Sequence, residues 1–261
     1  MLLGAKHFVY ASDMAEKFEL YFCPLVPEER DGLHVLDYSK PGRVQTYKKS
    51  GLQFAMASFP EEDDMIEEYF RWYRPKPGDL IFDVGAHCGV SSYHFSKLVG
   101  PEGRVVCFEP DPVNFGILRS NIERHGLTNV VAENTAVAAA AGKLAFSSEG
   151  TIGSKISTLL TRESAGETVM VTAVTLKDAF ERWGVPDFCK IDIEGAEIEV
   201  VAASEMVLKQ NPTNLALDTS HLKVDGTPTA ADVEVLLRGY GYEVASEANP
   251  LLTTWARPAK G

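Results

Sequence analysis

The sequence predicts an α/β fold, a mostly parallel open sheet covered by helices on both faces, with a smaller appendage in front of it. Two observations carry the prediction. From Pro75 onward, strand-like and helix-like runs alternate: LIFDV, SSYHFSKLV, RVVCFEP, PVNFGILRSNIERHG, NVVAEN. Alternation of this kind builds parallel strands joined by crossover helices. Before Pro75 the character differs, with short strand-like runs LHVLDYS, RVQTYKK and LQFAMAS separated by Gly and Pro turns.

In order along the chain, EEDDMIEEYFRWYR has helical apolar spacing at Met65, Ile66, Tyr69, Phe70 and Tyr73 and closes the appendage, residues 1–74. Its aromatics, with Trp72, form a core stripe at that spacing, although they are also placed to line an acceptor pocket. The remainder, residues 75–261, is one domain. After NVVAEN the regular alternation is interrupted by KLAF, a Gly/Ser/Thr-rich loop and TVMVTAV, which predict an inserted hairpin or an extended excursion. The loop part GTIGSKISTLL, Gly150 to Leu160, is expected to cover a pocket, since long loops in compact domains tend to be lids. Alternation resumes with LKDAFERWG, DFCKIDI, GAEIEVVAASEMVLKQ, NLALDTS and AADVEVLLRGYG. YEVAS and LLTTWA, joined by a short turn, predict an antiparallel pair at the sheet edge.

Composition narrows the function classes. A formal net charge of -12 repels phosphate backbones, and no basic patch offsets it, which argues against nucleic acid and for a small or neutral partner. Cys23, Cys88, Cys107 and Cys189 lack the paired spacing of a zinc site or a disulfide framework. No apolar run reaches membrane-spanning length, and the first ten residues turn polar too soon for a signal peptide. A cytoplasmic protein is the expectation.

The stretch FDVGAHCGV, Phe82 to Val90, breaks a buried strand into a glycine turn. In open parallel sheets ligands bind at such carboxyl ends. Gly85 permits the sharp turn, Gly89 permits close approach of backbone to a ligand, and Ala86 and His87 lie between them. Asp83 adds a carboxylate that would resist a pyrophosphate and welcome a sulfonium or ammonium. The next strand ends in VVCFEPDP, where Glu109, followed by Pro110, is placed to accept hydrogen bonds from ribose hydroxyls. A ribose joined to a cationic amino-acid portion describes S-adenosylmethionine better than a nicotinamide or flavin.

In CKIDIEGAE, Lys190 and Asp192 share one strand face while Ile191 and Ile193 share the other. Charges in a doubly covered strand are costly unless they emerge at its end, so Asp192 is expected to reach the pocket and Glu194 its rim. An ion pair between Lys190 and Asp192 is the plainer alternative, and Glu197 is expected to be structural.

DVGAHCG, FEPDPVNFGILRSNI, NTAVAAAAGKLAF and KIDIEGAE resemble the FkbM-type S-adenosylmethionine-dependent methyltransferases, over roughly Pro77 to Met206. The resemblance implies a Rossmann-like seven-stranded methyltransferase sheet, mostly parallel with an antiparallel edge strand. It implies that Asp83, Gly85, Gly89 and Glu109 hold the cofactor, with Asn134 to Ala136 near the adenine. It also implies O-methylation of a macrolide-type or sugar hydroxyl, a small-molecule or glycan acceptor. Asp218 stands where such proteins often show glutamate, and residues 1–74 match nothing assignable; they are candidates for an acceptor cap or a dimer contact.

Methyl transfer needs an aligned acceptor oxygen and a base. Asp192 is the first candidate base and His221 the second; His87 is assigned to the cofactor turn and His94 to the first helix of the domain. Asp192, Asp218 and His221 also suit a divalent ion, magnesium or manganese, that would polarise the acceptor hydroxyl. Two other classes predict different signatures. An adenine N-methyltransferase needs an Asn/Asp-Pro-Pro-aromatic run where this chain has IDIEGAE, and a non-catalytic S-adenosylmethionine-binding or scaffolding protein would not depend on Asp192.

Overall fold

The computed structural model describes residues 2–3, 20–21, 28–30, 33–35, 43–47, 50–56, 66–148, 155–156, 167–248 and 251–259. Met65, Cys23 and most of the loop from Gly150 to Leu160 lie outside the described residues.

The N-terminal part contributes β1 (Leu2–Leu3), β2 (Leu20–Tyr21), β3 (Glu28–Arg30), β4 (Leu33–Val35), β5 (Arg43–Tyr47) and β6 (Gln53–Met56). They pair antiparallel in two small sheets, β1-β4-β3 and β2-β5-β6. A short helix α1 (Ile66–Tyr69) leads into β7 (Leu80–Val84), α2 (Val90–Val99), β8 (Arg104–Phe108), α3 (Pro112–Arg124) and β9 (Val130–Glu133). The excursion follows as β10 (Ala136–Val137), β11 (Gly142–Ser148), β12 (Lys155–Ile156) and β13 (Glu167–Val174), a separate four-stranded sheet in the order β10-β13-β11-β12. The chain continues through α4 (Leu176–Trp183), β14 (Phe188–Ile191), α5 (Glu197–Ala203), α6 (Glu205–Gln210), β15 (Asn214–Asp218), α7 (Ala230–Gly239), β16 (Tyr242–Ala248) and β17 (Leu252–Pro258).

The main sheet has seven strands in the order β16-β17-β15-β14-β7-β8-β9. Strands β15, β14, β7, β8 and β9 are parallel to one another, and β17 runs antiparallel between β15 and β16. The alternation of side chains decides the two cores. Phe82, Val84, Val106, Phe108, Cys189, Ile191, Leu215 and Leu217 face one layer with α4, α5 and α7. Ile81, Val105, Cys107, Phe188 and Ala216 face the other with α1 and α2. Every residue of β14 is buried, as a doubly covered parallel strand requires. Cys88, Cys107 and Cys189 are buried.

Local chemistry sets the helix starts. Asp111 caps α3 by accepting from the Val113 and Asn114 amides, with Pro112 at the first helical position. Thr175 and Asp178 form a reciprocal capping box on α4.

The N-terminal strands are not free of the domain. Phe54, Met56 and Tyr47 pack with Cys88, Val90 and Ile117. Asn121 ties the two parts together: its Oδ1 accepts from the Ala55 amide at 2.7 Å, and its Nδ2 donates to the Ala55 and Cys88 carbonyls, each at 2.8 Å. Fully burying a side chain such as Phe54 contributes about 2 kcal/mol. Residues 66–74 are held as firmly: Trp255 Nε1 donates to the Glu68 carbonyl, Tyr73 stacks on Phe188, and Arg71 lies over the Trp255 ring and pairs with Glu247.

Candidate active site

The chain builds β7, β8 and β9 outward in one direction, then returns to add β14 and β15 on the other side of β7. The switch point is therefore between β7 and β14, where open α/β sheets bind ligands. Two groups of side chains converge there.

The first surrounds the turn after β7. Gly85 has φ 78° and Gly89 φ 90°, both left-handed. At Gly85 the space is as demanding as the dihedral, because a Cβ there would lie 1.8 Å from the Asp192 carbonyl oxygen. The Gly85 and Ala86 amides donate to the Phe108 carbonyl, closing the turn over the tip of β8. Glu109 sits beside it, 5% exposed, with Oε2 accepting from the His87 amide at 2.8 Å and Oε1 from the Asp111 amide at 2.9 Å. Burial pushes its pKa up to about 7, against the opposing pull of His87 and the two amides. Asn134 clips the next strand tip to this one, donating to the Glu109 and Pro110 carbonyls.

The second group lies at the tips of β14 and β15. The Asp192 amide donates to the Val84 carbonyl, so this acid stands directly against the glycine turn. Its carboxylate, with its side chain 29% exposed, is 3.6 Å from Lys190 Nζ and 3.9 Å from His221 Nε2, and it accepts from the Tyr69 hydroxyl at 3.5 Å. Lys190 is buried; it donates to the Gly85 carbonyl at 2.8 Å and pairs with Asp83 at 3.4 Å. His221 Nε2 is 3.5 Å from Glu194, and Nδ1 is 3.0 Å from Glu197 Oε1, out of line for a hydrogen bond. Burial opposes the imidazolium, but the close approach of the Glu194 and Glu197 carboxylates and the charges of Glu197 and Asp192 push its pKa up to about 12. Asp218 is raised by burial and by Asp192. Ligand atoms of Asp192, Asp218 and His221 all lie within 4.8 Å of one another.

The sequence model of the methyltransferase FkbM domain matches residues 83–244, well over half of the chain. The chain belongs to the FkbM methyltransferase family. Among relatives, it is 29% identical over 206 residues to the 31-O-demethyl-FK506 methyltransferase FkbM of Streptomyces tacrolimicus, covering 67% of this chain and 77% of that protein. It is 27% identical over 110 residues to the catechol O-methyltransferase of Mus musculus, covering 40% of each. The crystal structure of a methyltransferase FkbM from Methylobacillus flagellatus superposes with a TM-score of 0.53 at 16% identity, over 72% of this chain and 46% of that one. The alignment thus spans less than half of the Methylobacillus chain. A precorrin-6y C5,15-methyltransferase from Geobacter metallireducens gives a TM-score of 0.51 at 17% identity, over 79% and 93%. These structural likenesses share the Rossmann-like methyltransferase fold. Family and fold are those of S-adenosylmethionine-dependent methyltransferases.

This chain's own residues fit that cofactor: a turn that excludes a Cβ at Gly85, and a buried carboxylate at the neighbouring strand tip. Several expected residues are arranged differently from the sequence reading. Asp83 does not front the pocket; it is 0% exposed, accepts from Ser92 at 2.6 Å and pairs with Lys190, because it shares the inward face of β7 with Ile81. Ala136 packs into the core of the excursion sheet with Phe146 and Val171. His87 offers its amide to Glu109, at a left-handed φ of 48°. The acidic neighbours of His221 favour its protonated form. The anticipated Lys190–Asp192 pair forms, and Asp192 is still a quarter exposed beside it. Tyr69 is the residue the sequence reading undervalued, because its spacing with Ile66 and Phe70 is that of an ordinary core stripe. Among the described residues no helix is long and apolar enough to cross a membrane.

Proposed function

We propose that this FkbM-family protein methylates a hydroxyl oxygen of a small-molecule, sugar or polyketide-type acceptor, with Asp192 as the general base. One observation carries the proposal: the Asp192 carboxylate is partly exposed at a strand tip whose backbone packs directly against the glycine turn. Bound S-adenosylmethionine supplies a methyl group already electrophilic on its sulfonium. The turn 85–89 receives its amino-acid portion and Glu109 its ribose hydroxyls, with Asn134 at the adenine side. Asp192 takes the acceptor's proton, and Lys190 and Tyr69 hold its carboxylate in place. Oxygen as the nucleophile is supported by the names of two relatives, both O-methyltransferases.

The catalytic unit comprises residues 75–261 together with the α1 region, whose Tyr69 touches Asp192. Cys107 and Cys189, buried as free thiols, suit a reducing, cytoplasmic setting.

A second reading is favoured by the convergence of Asp192, Asp218 and His221. These residues would hold magnesium or manganese, and the ion would polarise the acceptor hydroxyl, with a proton displaced from His221. Screening sugars and macrolide-type hydroxyl compounds for S-adenosylhomocysteine release, with magnesium, with manganese and with a chelator, separates the two readings. Chelator-insensitive turnover supports Asp192 as base; turnover lost to chelator and restored by either ion supports the metal. Asp192→Asn is expected to lower turnover about 100-fold while calorimetry finds S-adenosylhomocysteine affinity within about 3-fold of wild type. Undiminished turnover in that variant would leave binding without Asp192-dependent chemistry.

A further inference from the structure

We propose that Glu197 is a positioning residue of the reaction centre, holding His221 and the turn that carries Glu194 toward Asp192. This rests on the assignment of the β14 and β15 tips as that centre.

Glu197 opens α5 yet is 0% exposed. A carboxylate withdrawn from water in this way is costly unless every oxygen is engaged. Here the partners come from three parts of the chain. Oε1 accepts from the Ile193 amide at 3.3 Å and the Gly195 amide at 3.1 Å, and it lies 3.0 Å from His221 Nδ1. Oε2 accepts from the Thr229 hydroxyl at 3.5 Å, which joins the start of α7. One side chain thus ties the loop after β14 to the loop after β15.

The turn it holds is unusual. Glu194 has φ 55°, a left-handed conformation uncommon for a residue with a side chain, and Gly195 follows at φ 102°. Such backbone persists where surrounding bonds over-determine it, and the two amides bound by Glu197 flank Glu194. With the turn and the Nδ1 edge of the imidazole both fixed, Nε2 faces Asp192 at 3.9 Å and Glu194 at 3.5 Å. A carboxylate behind one ring nitrogen is the usual means of orienting the other, in catalytic and in metal-binding histidines alike. A helix N-terminus alone would need none of these cross-loop contacts.

The test uses the full chain with Glu197→Gln, Glu197→Asp, His221→Ala and the double Glu197→Gln/His221→Ala. The chain has six histidines, so carbon-13 histidine labelling gives few imidazole signals, and the one missing from His221→Ala identifies His221. In Glu197→Gln that signal is expected to shift or broaden while the others and S-adenosylhomocysteine affinity stay put. Turnover with the acceptor found in the screen is expected to fall about 10- to 100-fold, with little change in KM. The double variant should lose less than the sum of the two single losses, since part of the Glu197 effect passes through His221. If Glu197→Gln does not fold, Glu197→Asp, which keeps the charge and shortens the reach, must give the same pattern. An unmoved His221 signal, or a loss that adds fully to that of His221→Ala, overturns the proposal. Wild-type turnover in His221→Ala with the Glu197 effect intact would instead refute the placement of the reaction centre.

Discussion

Glu109 shows how much a single side chain's surroundings decide. Its pKa, raised to about 7 by burial, exceeds that of an unfolded glutamate near 4.3, so the native state binds the proton more tightly. The sign follows: this residue's contribution to stability is largest in acid, falls as pH rises through about 4 to 7, and is constant above. Ribose hydroxyls donate to the ionised form, so nucleoside binding at Glu109 should expel the proton. S-adenosylhomocysteine affinity is therefore expected to rise between pH 6 and 8, with proton release near pH 7 visible by calorimetry in buffers of different ionisation enthalpy. Glu109→Gln should abolish that release and weaken binding about 10- to 100-fold. A pH-independent affinity in the wild type would contradict the assignment. At this scale the strand-tip positions of Glu109 and Asp192 were legible in the sequence, because the tip of a buried strand follows from alternation alone. Asp83 was not, since its burial depends on which face of β7 looks at Lys190. The protonation of His221 was not either: Asp192, Glu194 and Glu197 approach it from another loop, and no local pattern announces a contact between them.

Among the elements, the turn after β7 and helix α1 lead to separate expectations. Gly85→Ala must place a methyl in the space of the Asp192 carbonyl at a left-handed φ, which should destabilise by at least about 2 kcal/mol and lower S-adenosylhomocysteine affinity with it. A variant as stable as wild type in urea would show that the turn is not clamped between β7 and β14. Helix α1 presents Tyr69 to Asp192 and its ring to the Lys190 ammonium. Tyr69→Phe keeps the packing and removes only the hydroxyl, so turnover should fall about 3- to 10-fold with the melting temperature nearly unchanged. Equal turnover would return Tyr69 to a purely structural role. The alternation of strands and helices, the excursion after β9 and the closing antiparallel pair were all readable from periodicity and turn residues. What escaped was the docking of strands β5 and β6 and of α1 onto the domain. Asn121 and Trp255 hold them through backbone carbonyls, contacts that carry no sequence signature at the receiving end.

At the scale of the whole molecule, the sheet order puts the glycine turn after β7 and the acidic strand tips on opposite sides of one switch point. Lys190 links them, bonded to the Gly85 carbonyl on one side and paired with Asp192 on the other. In the proposed reading, seating the cofactor and setting the base are coupled through this one buried ammonium. Lys190→Met, which keeps the stem and removes the charge, should weaken both S-adenosylhomocysteine binding and turnover, whereas Asp192→Asn affects turnover alone; identical profiles would argue against the link. The most direct measurement is a crystal structure with S-adenosylhomocysteine. The expected complex has the ribose hydroxyls within hydrogen-bond distance of Glu109 and the sulfur turned toward Asp192. A nucleoside seated away from Glu109, or a sulfur facing away from the β14 tip, would contradict the account.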